Sequence, residues 1–134
     1  MSNICMDTRF VILSKDIPSA NMILMDLYKE LTGRNFRPIK DDLETFLNLL
    51  KYFGVLNQHS INRIIQNGEE FDDDSGEALY DIIGNYSGPR RHQDLAFEDL
   101  AQFLGDGNFM AIVDDKGRQI ELTVENGEII NKEL

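Results

Sequence analysis

The spacing of apolar residues changes character several times along this chain, and each change predicts a different element. Arg9-Phe10-Val11-Ile12-Leu13 is a short apolar run read as the first strand. From there Ala20, Ile23, Leu24, Leu27, Tyr28 and Leu31 recur at helical spacing, with Asp16 or Ser19 to cap the start and Gly33 at the end. Met22 and Met25 lie off that face and are read as a second packing surface. Asn35 to Ile39 is a connector, because Pro38 steers its predecessor away from helix. A second helix opens at Asp41, with Glu44 placed for a capping box. It carries Leu43, Phe46, Leu47, Leu50 and Phe53 and stops at Gly54. A third covers Gln58 to Gln66 with Ile61, Ile64 and Ile65 inward and Gly68 as its stop. Leu79, Ile82 and Ile83 suggest a fourth helix over Ser75–Ile83, and Ala96, Phe97, Leu100, Phe103 and Leu104 a fifth over Asp94–Leu104.

Beyond Asn108 the period falls to two. Phe109 to Val113 leads into a turn at Asp114-Asp115-Lys116-Gly117, Arg118 to Glu125 alternates polar with apolar, and Asn126-Gly127 precedes Glu128 to Asn131. Asn-Gly between alternating runs is a strong hairpin signal, since both residues tolerate positive φ. This end therefore predicts a three-stranded antiparallel meander. Strand, then helices, then strands is the order of an α+β fold: an N-terminal strand, about five helices, and a meander forming a roughly four-stranded sheet packed by helices. Phe10 to Leu13 and Phe109 to Val113 are apolar on both faces, so these are the expected central strands.

Composition bounds the rest. A length of 134 residues suits one domain spanning 1–134, with enough chain for a core that needs no metal or disulfide staple. The lone Cys5 excludes an intramolecular disulfide and a cysteine-rich zinc site. No apolar run has membrane-span length, and no basic segment precedes an apolar leader, so a cytoplasmic setting is expected. The unusual quantity is charge, 24 acidic against 13 basic residues for a formal net charge of −11. That sign disfavours direct binding to nucleic acid or an anionic membrane and favours a basic protein partner.

The acid is concentrated at Glu69, Glu70, Asp72, Asp73, Asp74, Glu77 and Asp81, with no lysine or arginine between Ile64 and Pro89. These residues, with Tyr80 and Tyr86 as aromatic anchors near them, form the expected partner-binding surface. Two structural explanations compete with it: acids suit a helix start, and Asp74 with Glu77 would make a capping box there. An EF-hand calcium loop is excluded. Setting Gly76 at the invariant sixth position of an EF-hand puts Phe71 first and Ile82 twelfth, where carboxylates are required.

Other chemistry is thin. Arg90-Arg91-His92, before the fifth helix, is a compact basic cluster suited to an anion. His59-Ser60 opens the third helix, where Ser60 reads as a cap, and no nucleophile elbow or phosphate-loop fingerprint occurs. The second and third helices could pass for a helix-turn-helix, but the second of the pair offers only Arg63 as a cation and its flank is acidic. No cofactor or metal is implied, and no catalytic residues are assigned.

In acidity, low cysteine content and α+β order the chain is similar to phage and mobile-element accessory proteins and to toxin-immunity proteins, though no motif carries the likeness. The function expected is therefore that of a non-enzymatic protein-binding module, an inhibitor or immunity-type protein occluding a basic, nucleic-acid-handling partner. The alternatives are a small ligand-binding domain or enzyme with a pocket near Arg91 and His92, and a homo-oligomeric component using a strand edge or the Met22/Met25 patch.

Overall fold

A computed structural model describes residues 3–113 and 116–133. It holds one antiparallel sheet in the order β2-β3-β1-β4-β5-β6, from β1 (Asn3–Leu13), β2 (Glu70–Phe71), β3 (Ala78–Pro89), β4 (Phe109–Val113), β5 (Gln119–Glu125) and β6 (Glu128–Glu133). The α-helices are α1 (Ile17–Thr32), α2 (Asp42–Tyr52), α3 (Gln58–Asn67) and α4 (Gln93–Leu100), with 3-10 turns at Ser14–Asp16 and Ala101–Phe103. The α+β class holds. Among the described residues, however, there are six strands where about four were expected and four helices where about five were expected.

The difference lies mainly in Ser75–Ile83, expected as a helix. Residues 72 to 77 are a turn and the rest is the start of β3, paired with β1 from Leu13 opposite Leu79 to Asn3 opposite Pro89. The spacing Leu79, Ile82, Ile83 fits a helix face, but in β3 Ile82 is buried while Ile83 is exposed on the other side. A β-branched and aromatic run with a long partner strand available adopts the pleated form. β1 itself starts at Asn3 and not near Arg9, because its alternation continues upstream: Ile4, Met6, Thr8, Phe10 and Ile12 are buried and their odd-numbered neighbours face out. The last helix is shorter than expected and tightens into 3-10 form at Ala101. Ile65, expected inward, is exposed.

The meander is present as expected. Asn126 and Gly127 both take positive φ, 52° and 75°, and β5 pairs with β6 from Glu125 opposite Glu128 outward. The turn expected at Asp114-Asp115-Lys116-Gly117 begins at two residues outside those described. β1 and β4 lie side by side at the centre of the sheet, as expected, although β1 is buried on one face only: its other face carries Cys5, Asp7 and Arg9.

The helices cover the face carrying the even-numbered residues of β1. Phe10 is the centre of that layer, meeting Phe46 of α2 edge-on at 6.5 Å between ring centroids and Phe97 of α4 at 6.2 Å. Asp41 caps α2 by accepting a hydrogen bond from the Glu44 N–H, and Asn57 caps α3 through the Ser60 N–H. Asn21, buried in α1, donates to the Asp42 carbonyl and ties the first helix to the start of the second. Met25 packs on the core as expected, whereas Met22 is exposed. The opposite sheet face is uncovered and mixes Cys5, Asp7 and Arg9 with Val11, Ile83 and Ile130. Among the described residues no helix is long and apolar enough to cross a membrane.

Candidate functional site

The acidic stretch is a hairpin and not a helix start, which changes what its carboxylates do. Glu70 and Phe71 pair with Leu79 and Ala78, and the intervening loop closes through Asp72 N–H to the Glu77 carbonyl at 2.9 Å and Gly76 N–H to the Asp72 carbonyl at 2.7 Å. Gly76 sits at φ 72°, where an L side chain would be strained. The expected capping box between Asp74 and Glu77 does not form. Instead the Asp74 N–H donates to Asp72 Oδ1 and the Glu77 N–H to Ser75 Oγ, local turns of the kind Asp and Ser favour.

The base of this hairpin is fastened to the 3-10 turn after β1. Ser14 Oγ donates to Glu69 Oε2 at 2.8 Å, and Lys15 Nζ pairs with Glu77 Oε1 at 2.7 Å. That ion pair raises the Lys15 pKa above its ordinary value, first through the hydrogen bond that Lys15 donates to Glu77 and second through the carboxylate's charge. Glu70, Asp73 and Asp74 are exposed with no cation within 4 Å among the described residues, and Phe71 beside them is 66% exposed. A protruding, negatively charged loop with one bare aromatic ring is the result.

Tyr80 and Asp81 do not belong to that loop. Successive strand residues point to opposite faces, so Tyr80 turns in against the core and Asp81 turns out, opposite Val11. Tyr80 thus lies on the sheet face opposite Asp81, packed against the core and half-buried. Burial raises its pKa, with the charges of Glu69 and Asp41 adding to the effect. Tyr86 is likewise turned inward and donates to the Pro89 carbonyl. Nothing in the sequence marks Phe71 as exposed; as one of the two residues of the edge strand β2, it is.

The basic cluster is also divided. Arg90 borders a cavity of about 350 Å³ over β4 and β5, with Asp94, Ile112, Ile120, Leu122, Asn131 and Glu133. Arg91 borders a separate one of about 340 Å³ with Phe36, Ile39, Asn48, Lys51 and Tyr52. His92 is exposed at the N-terminus of α4, makes no side-chain cap and lines neither cavity.

Ser60 is not the cap of α3, which is Asn57. The serine is buried, and its Oγ accepts from the Asn85 N–H at 3.1 Å, closing the edge of β3 beyond the reach of β2. Cys5, on the uncovered sheet face, lies 3.6 Å from Ser87 Oγ. Among the described residues no group of three or more His, Cys, Asp or Glu side chains could hold a metal ion. No family model, curated protein or solved structure matches the chain.

Proposed function

We propose that this protein is a protein-binding module that docks on a basic partner through the hairpin of residues 69–77, and that it acts by covering a nucleic-acid-handling surface of that partner. The observation that carries this is the braced acidic hairpin. Six of its nine residues are carboxylates, its turn is held by internal hydrogen bonds, and its base is tied to Ser14 and Lys15. A rigid loop loses little conformational entropy on docking, and its clustered charge steers a basic surface toward it. Phe71 supplies the desolvated contact that charge alone lacks.

The test is charge reversal of Asp72, Asp73 and Asp74 to lysine, followed by capture from host lysate and titration of the captured partner. Affinity is expected to fall roughly a hundredfold, about 1 kcal/mol per reversed carboxylate, with added salt weakening the wild-type complex alone. The captured protein should also lose nucleic acid when this chain is added. Unchanged affinity in a variant with unaltered melting removes the hairpin from the interface.

A further inference from the structure

The pocket at Arg91 is chemically unlike the rest of this surface. In a chain of net charge −11, it is lined by two cations, two aromatic rings, an aliphatic side chain and an amide, and by no carboxylate. Its parts come from three segments of the chain. The connector after α1 gives Phe36 and Ile39, α2 gives Asn48, Lys51 and Tyr52, and the segment before α4 gives Arg91.

The walls are held in place. Tyr52 is braced edge-on by Tyr28 at 4.7 Å and by Phe53 at 5.2 Å, and Tyr28 in turn meets Phe36 at 5.2 Å. Arg91 is set by its backbone: its N–H donates to Oε1 of buried Gln93 at 2.8 Å, and Gln93 Nε2 donates to the Gly54 carbonyl at 3.3 Å. Gly54, at φ 73°, permits that approach, since a Cβ there would lie 2.6 Å from Gln93 Nε2 and 3.2 Å from the arginine's Cδ. The guanidinium itself has no ion pair or hydrogen bond among the described residues. Lys51 donates to Gln58 Oε1 at 2.9 Å, a neutral acceptor that leaves its charge uncompensated.

We infer that this pocket binds a small anion made of a flat aromatic ring bearing a doubly charged, phosphate-type acid group. The two cations match the dianion, guanidinium forming a forked contact and ammonium a point contact. The ring packs against Tyr52 and Phe36 in the offset or edge-on manner aromatic pairs prefer. The volume of about 340 Å³ suits one such molecule. The inference does not rest on the acidic hairpin or its partner.

Phenyl phosphate is the probe, titrated into the whole protein and followed by calorimetry and amide NMR shifts. Saturable binding is expected, with the shifts concentrated at residues 36–39, 48–52 and 91. Both cations are exposed, so Arg91→Gln and Lys51→Gln should melt like wild type, and each should weaken binding roughly tenfold, the loss of one charge-assisted contact. Phenol and inorganic phosphate, each half of the probe, should bind at least roughly tenfold more weakly. Absence of saturable shifts at these amides, equal affinity for inorganic phosphate, or indifference to both substitutions would overturn the assignment.

Discussion

The hairpins that close the two edges of the sheet are built on different principles. The β5–β6 hairpin turns on two residues, Asn126 and Gly127, and its strands run together from Glu125 opposite Glu128 to Ile120 opposite Glu133. The β2–β3 hairpin shares only two residue pairs, and its longer loop is held by side chains of Asp72 and Ser75. What keeps β3 extended is its other neighbour, β1, which pairs with it from Leu79 to Pro89. One hairpin is specified by its own turn, and the other by a strand more than sixty residues earlier in the chain. The self-specified hairpin is bland in charge pattern. The hairpin that depends on distant contacts carries the acid loop, where the proposed function resides.

Both nonetheless lean on one centre, and the largest effect should come from removing it. Phe10→Ala opens the space between Phe46 and Phe97 and is expected to destabilise the protein by about 3 to 5 kcal/mol in urea denaturation. Amide exchange should then rise in both hairpins together. A rise confined to β2–β3 would mean that the meander is an independently stable unit.

A smaller effect isolates what holds β3. Gly84 lies under α3, and a Cβ there would come within 2.5 Å of Ser60 Cβ and 2.7 Å of Leu56 Cδ2. Gly84→Ala is therefore expected to cost about 1 to 3 kcal/mol by overpacking. The cost should shrink in a Ser60→Gly background, where the nearest obstacle is gone, so the two substitutions couple in a double-mutant cycle. Strict additivity would show that α3 does not press on β3 at this point.

The same contrast explains which parts of the molecule are legible in its sequence. The Asn-Gly turn, the Asp41 cap and the glycine stops are local signals, readable because neighbouring residues alone produce the effect. The spacing of Leu79, Ile82 and Ile83 satisfies a helix face as well as a strand, so it points to the wrong element. The deciding fact, a β1 extending back to Asn3, depends on the alternation of Ile4, Met6 and Thr8 being read past the polar residues between them. Loss of the helix separates Tyr80 and Asp81 from the acid loop and promotes Phe71. The Arg91 pocket was only half visible: the cation could be seen, but Phe36 and Lys51 reach it through tertiary packing that no spacing encodes.

The smallest expected effect again divides the hairpins, this time by pH. Lys15 and Tyr80 both sit at the base of the β2–β3 hairpin, and both hold their protons more tightly in the folded chain than at their ordinary values of 10.5 and 10.0. For Lys15 the cause is Glu77, and for Tyr80 it is burial, reinforced by Glu69 and Asp41. A raised folded value means that the unfolded chain releases its proton first as pH rises. The contribution to stability is thus constant below pH 10 and lost as pH climbs through the folded values. The β5–β6 hairpin contains no tyrosine. Methyl NMR between about pH 8 and about pH 11.5 should therefore show Ala78 and Leu79 shifting before Val124 and Ile129, which pair near the turn of that hairpin, away from its one lysine, Lys132. Tyr80→Phe and Lys15→Met should each flatten that response, because each removes one of the two titrating groups. Simultaneous movement of the methyls of all four residues would mean that the tie between Lys15 and Glu77 does nothing local, and that the acid loop is braced by its internal turn alone.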